Sequence, residues 1–293
     1  MGEKIVQNND TWMTSSSERE TTNLPFNLDE VKTKKKKTLR LKANKVLYPI
    51  LAGIIFLLLW EFQLFHRIFQ LQTYQLPIPS AIFTALVDNL STLINFTGYT
   101  LIEAVLGMLF GSSLGFLWAL IASAYPKWGR SWLMIVVALN AVPIVALAPI
   151  MNLWLGNGIS SRIAIVTVTT MAAMAINAHK GLTNMNPLAL DLMHSYAAKK
   201  VEVFKYLRFA NCLPYLFTAL KINTTASMIG AIVGEFFYSS KGLGYLLSNS
   251  IKIAQMPLGW ACIVIASIVG VLFYLVIEGL EKIFLGWHSS KRL

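Results

Sequence analysis

Two carboxylates stand inside long apolar runs of this chain, Glu103 in the run 97–125 and Glu235 late in the run 215–238. A carboxylate in hydrocarbon is costly, so Glu103 is expected to face protein, water or the interface, where it could take part in ion coupling. Glu235 is expected at the interface closing its run. Lys221, about a turn and a half inside the same run, is expected to snorkel to the other interface. A second candidate is the region Trp132–Leu155, which carries Asn140, Pro143, Pro149 and Asn152. Both prolines break the helical hydrogen-bond ladder, and a broken helix at membrane depth either lines a cavity or packs on protein. Glu103, Asn140, Pro143, Asn152 and Glu235 are therefore the candidates for a translocation path. Metal and nucleotide chemistry find no foothold. The four histidines form no His-x-x-x-His pair, Cys212 and Cys262 match no CxxC spacing, and no GxxxxGK[ST] loop occurs. The chain does not read as an enzyme.

The elements that must position these residues are hydrophobic. The chain is 55% hydrophobic and 13% charged, against about 25% charged in an ordinary soluble domain. It reads as an all-α polytopic membrane protein with six transmembrane helices, over roughly 46–65, 97–125, 132–155, 161–178, 215–238 and 258–285. Residues 1–45 read as a disordered basic cytoplasmic tail, 46–75 as the first transmembrane helix and an external linker, 76–286 as the transport domain, and 287–293 as a second cytoplasmic tail. Gly107, Gly111 and Gly115 recur every four residues in the second run, a stripe that permits close helix approach. The net charge of +11 comes from basic residues flanking the apolar runs, which fits lipid headgroups and topology signalling better than nucleic acid.

The longest polar interval between hydrophobic runs is 186–214, with Lys199, Lys200, Lys205 and Arg208. Asn186 and Pro187 are a helix-start pair. Leu188, Leu192, Tyr196, Val203 and Leu207 recur near helical spacing. The interval reads as a short, basic, amphipathic helical hairpin that either lies on the lipid surface or meets a partner. Lysine and arginine concentrate on the side that holds the N-terminal basic run, placing this hairpin and both termini in the cytoplasm.

Four stretches carry a family resemblance: LPIPSAIFTALVDNL, PIMNLWLGNGISSRIAIV, NAHKGLTNMNPLALDLMHSYAA and VGEFFYSSKGLGYLLSNS. In this order they resemble the transmembrane permease subunit of bacterial ATP-binding-cassette (ABC) importers, in the branch of nitrate, sulfonate, taurine and thiamine-precursor permeases. In the family's cytoplasmic signature, Asp191 falls at the Glu of EAA, Leu192 and Met193 at the two alanines, and Ala197 at the Gly. The Cβ of Ala197 disfavours a left-handed turn there, which leaves a continuous helix as one reading beside the hairpin.

The resemblance implies an ATPase-coupling helix over Asp191, Leu192, Met193, His194, Ser195, Tyr196, Ala197, Ala198, Lys199 and Lys200. It implies a partner ATPase dimer that binds ATP and Mg, with no cofactor in this chain. It further implies a second permease copy, an external substrate-binding protein, contact with membrane lipid and a place in the bacterial inner membrane. The solute would be small, anionic or heterocyclic. An ion-coupled secondary transporter is the alternative, with Glu103 as its coupling group.

Overall fold

A backbone in hydrocarbon has no water to bond to, so apolar runs satisfy themselves as helices. The computed structural model describes residues 47–286, and among them every regular element is helical. The chain divides into two units, Met1–Phe56 and Leu57–Leu293. Of the first, residues 47–56 are described; they are helical, with their apolar side chains exposed. The tails expected at 1–45 and 287–293 lie outside the described residues.

The helices are α1 (Leu47–Glu61), α2 (Leu64–Phe69), α3 (Pro79–Asp88), α4 (Leu90–Ala124), α5 (Pro126–Leu139), α6 (Ile144–Leu155) and α7 (Ile159–Thr183). There follow α8 (Pro187–Ser195), the single turn α9 (Lys200–Glu202), a π-helical segment (Val203–Arg208), α10 (Phe209–Tyr238), α11 (Leu243–Lys252) and α12 (Met256–Phe284). From Lys200 to Tyr238 the helix is unbroken, 39 residues long. The expected hairpin is therefore asymmetric: its second arm is the start of a transmembrane helix, and Pro214 sits within that helix.

Among the described residues four helices, α4, α7, Lys200–Tyr238 and α12, are long and apolar enough to cross a bilayer, and α5 with α6 makes a fifth if the bent pair counts as one span. That pair bends by 95°. The break falls before Pro143, while Pro149 lies inside α6 without ending it, so one proline of the two interrupts the run. The expected span 46–65 is represented by α1, which ends at Glu61. Gln63 then turns left-handed (φ 57°), and the Glu61 carboxylate accepts from the Ser80 amide at 3.0 Å, at the start of α3.

The core is built where α4 lies against α7. A Cβ on Gly107 would run into Val166. On Gly111 it would meet Thr170 and stand 2.5 Å from the Thr167 carbonyl. On Gly115 it would meet the Met171 carbonyl and the Met174 Cβ at 3.0 Å. Bare backbone on one helix thus takes the side chains of the other. α10 closes the third side: Asn223 donates to Ser112 Oγ on α4 at 3.1 Å and to the Thr170 carbonyl on α7 at 2.9 Å. Gly98, on α4 but off this seam, faces open space. Gly111→Val should lower the stability of the folded chain by about 1–3 kcal/mol or abolish folding, whereas Gly98→Ala should be neutral or slightly stabilising. Yield of monodisperse protein and thermal unfolding in detergent check both.

Candidate functional site

Three charged side chains meet in the interior. Glu103 comes from the fourth turn of α4, Arg162 from the first turn of α7, and Glu235 from the last turn of α10. Arg162 Nε donates to Glu103 Oε1 at 2.6 Å, and both glutamates are fully buried. Glu235 is the neighbouring acid, close enough to interact with the Glu103 carboxyl. This corrects the expectation that Glu235 sits at an interface. Glu103 does face protein, as the cost of a charge in lipid requires. Lys221 has a partner that its own run does not supply: its Nζ pairs with Glu281 Oε2 on α12 at 3.1 Å.

The Glu235 carboxylate organises the turn after α10. Its Oε2 accepts from the Gly244 amide at 2.8 Å and from Thr100 Oγ1 at 3.0 Å, and Thr100 Oγ1 in turn accepts from the Leu243 amide at 2.9 Å. One amide of the first turn of α11, that of Gly244, thus points at a carboxylate, a favourable end for a helix dipole. Gly242 must be glycine on two counts, because its φ is +94° and a Cβ there would collide with the Glu235 carboxylate. That gives the Glu…Gly-Leu-Gly stretch its physical meaning. Among the described residues Glu103 Oε2, Glu235 Oε1 and Arg162 Nη1 make no hydrogen bond; Arg162 pairs with Glu103, and the second acid neighbours that carboxyl rather than the guanidinium.

The remaining path candidates lie elsewhere. Asn140, beside the break that Pro143 ends, lines a crevice of about 170 Å³ with Ile144, Leu147, Thr169 and Ile229. Pro143 is exposed, and Asn152 is half-buried. The crevice is below the roughly 300–1,000 Å³ of a complete small-molecule site, so by itself it does not make one. Arg162 and Asn223 were missed in the sequence. Arg162 reads there as an ordinary loop cation, and Asn223 as an incidental polar residue in an apolar run.

The loop 184–199 has a defined form. The Asn186 side chain accepts from the Leu188 amide at 3.0 Å and caps α8. At the other end Ala197 N–H donates to the His194 carbonyl at 2.9 Å and Ala198 N–H to the Met193 carbonyl at 3.0 Å. These are the two bonds of a Schellman cap, whose turning residue is usually glycine. Ala197 holds that position at φ 52°, so the continuous-helix reading fails: the left-handed turn forms despite the Cβ. The glycine of the family signature is the C-terminal stop of α8. α8 itself has two faces. Leu188, Leu192 and Tyr196, four residues apart, are 75%, 56% and 77% exposed, while Leu190, His194 and Ala198 lie about half a turn away and face back toward the end of α4.

Two outcomes follow. Removing either partner of the Glu103–Arg162 pair should destabilise by about 3–5 kcal/mol. The double variant Glu103→Gln/Arg162→Met should cost clearly less than the sum, as read by unfolding in detergent. Ala197→Gly should stabilise the α8 turn by up to about 1 kcal/mol, since an alanine pays roughly 1–2 kcal/mol in the left-handed region and glycine returns about 0.5–1 of it as chain entropy. Slower hydrogen exchange at the Ala198 amide would register it.

Residues 111–285 match the family described as the binding-protein-dependent transport system inner membrane component. The chain is 31% identical over 252 residues to the formylaminopyrimidine transport permease protein ThiX of Halalkalibacterium halodurans, covering 85% of this chain and 99% of that one. It is 29% identical over 241 residues to a probable ABC transporter permease protein of Haemophilus influenzae, with 82% and 98% covered. Among solved structures, a chain of the MetNI methionine ABC transporter in inward-facing conformations superposes with a TM-score of 0.59 at 16% identity, over 67% of this chain and 97% of that one, which is a likeness of fold. With the family matched over most of the helical core and relatives aligned nearly end to end, the chain belongs to the binding-protein-dependent transport system inner membrane components, the permeases of ABC transporters.

Proposed function

We propose that this permease is the membrane subunit of an ATP-driven importer of a small solute, with the loop over Asp191–Lys200 as the arm through which a separate ATPase moves it. The observation that carries this reading is the two-faced helix α8. Its exposed stripe of Leu188, Leu192 and Tyr196 has no cover among the described residues, it is capped at both ends, and it joins α7 to the 39-residue helix that starts at Lys200. A short rigid helix set between two spans can turn a push into a tilt of both. ATP and Mg belong to the ATPase partner.

In the same reading α1 completes six spans, both termini and α8 are cytoplasmic, and the protein sits in a bacterial inner membrane. The wall at Asn140, Pro143 and Thr169 faces its counterpart from a second copy across the path. Glu103 and Glu235 hold the path's helices together rather than touching the solute. A heterocyclic solute is favoured over an anionic one by the aminopyrimidine permease similar to this chain over nearly its whole length; an external binding protein would deliver it. The secondary-transporter alternative loses its main support because Glu103 is tied to Arg162.

Cys212 and Cys262 are both buried, so a surface cysteine can be addressed alone. Lys199→Cys and Leu192→Cys should crosslink to a co-expressed ATPase in intact membranes. Leu192→Asp should cut ATP-dependent uptake at least about tenfold, the loss of some 1.4 kcal/mol of docking energy, while leaving the folded amount unchanged. Uptake driven by an ion gradient without nucleotide would overturn the reading.

A further inference from the structure

The membrane-facing side of the same loop holds a pocket that the ATPase-docking stripe does not use. It is a cleft of about 580 Å³ between the end of α4 at Ser123 and Ala124, the inner face of α8, and the first turns of the long helix. Its floor is apolar, from Leu190, Val203 and Phe204; its polar side chains are Lys200, Arg208 and His194, beside a Ser123 hydroxyl that donates to the Leu120 carbonyl at 2.9 Å. No acid lines it. The nearest in sequence, Asp191 and Glu202, lie aside, and Glu202 Oε2 is occupied by the Lys199 amide at 2.6 Å. Among the described residues neither Lys200 nor Arg208 has an ion-pair partner, while Lys205, on another side of the helix, rests over the Tyr206 ring at 5.3 Å.

The backbone explains why two cations converge here. Lys200, Phe204 and Arg208 follow one another at four-residue intervals. In an α-helix such a series drifts around the axis, but Val203–Arg208 is π-helical, with the Phe209 amide bonded to the Phe204 carbonyl. The wider turn keeps residues four apart closer to one line, and π segments of this kind recur at functional sites. The level of the pocket is marked by Tyr125 and Trp128, both well exposed, directly after Ala124; tyrosine and tryptophan gather where a bilayer meets water.

We propose that this pocket binds the phosphate of an anionic phospholipid, with Arg208 and Lys200 donating to the phosphate oxygens, His194 at its rim, and the acyl chains lying along the exposed apolar side of α4. Basic pockets on the cytoplasmic side of helix bundles take such headgroups. The lipid would brace α8 against the long helix, on the face opposite the docking stripe. The site therefore stands or falls without reference to an ATPase.

The test uses the full chain, purified without an ATPase and reconstituted in nanodiscs of phosphatidylcholine with a minority of phosphatidylglycerol. Lipids retained on mild delipidation are counted by native mass spectrometry. Wild type should retain phosphatidylglycerol selectively. Lys200→Gln should weaken that retention about fivefold and Lys200→Gln/Arg208→Gln about thirtyfold, at about 1 kcal/mol per cation. Lys252→Gln, an exposed lysine at the end of α11, should leave it unchanged. Because Arg208 is half-buried, Lys200→Gln alone decides the matter if the double variant fails to fold. The proposal is overturned if phosphatidylglycerol is not preferred, if Lys252→Gln weakens retention as much as Lys200→Gln, or if millimolar inorganic pyrophosphate displaces the lipid, which would make the ligand a soluble phosphate.

Discussion

Helices in a bilayer gain little by leaving lipid for one another, because lipid tails are as apolar as leucine. What holds them is contact, and contact depends on how near two backbones can come. Gly107, Gly111 and Gly115 set that distance between α4 and α7, and much else is a consequence. The seam brings the first turn of α7 beside the fourth turn of α4, which is what allows Arg162 Nε to reach Glu103 Oε1. It leaves Thr170 and Ser112 where Asn223 can bridge them from α10. Arg162, Glu103 and Asn223 thus each make at least one bond across helices, which offsets part of the cost of burying them.

The arrangement of charge has its own logic. A lone Glu–Arg pair would be neutral, but Glu235 adds a second acid and is held by neutral donors instead: a hydroxyl from Thr100 and an amide from Gly244. Removing either donor would leave a buried acceptor with less to bond to, so Glu235, Thr100 and the Gly242–Gly244 turn form one unit. That unit fixes α11 to the ends of α4 and α10.

Periodicity and hydropathy made the long helices, the glycine stripe, the start of α8 at Asn186 and the break near Pro143 legible in the sequence, because each depends on residues within a few positions. The resemblance made the family legible from four short stretches. What was not legible depends on distance in sequence. Glu235 reads as an interface residue until its helix is seen ending against α4, 135 residues away from Thr100. Lys221 reads as snorkelling, with no sign of Glu281 across from it. Ala197 is the instructive case. Local preference argued against a left-handed turn, and the Schellman bonds to His194 and Met193 overrode it, because α8 must end there for the chain to fold back into the long helix. The path candidates were read as one group, yet the structure separates the buried acids from the crevice at Asn140.

The long helix links the two ends of the molecule. From Lys200 to Tyr238 it spans roughly 58 Å at 1.5 Å per residue, with the α8 turn at its start and Glu235 in its last turn. A displacement of α8 would pass along this rod to Glu235 and from there through the Gly244 amide to α11. The rod is not uniform. Its π segment lies in the second and third turns and Pro214 further on, so its weakest hydrogen bonding is gathered near the loop. Were α8 to move as the proposed function has it, the displacement would be absorbed partly at Val203–Pro214 before reaching the core, unless something stiffens that stretch. The cation-lined cleft beneath α8 sits against the π segment itself, so an anion there would bear on the compliant part of the lever and so govern how much of a push reaches Glu235.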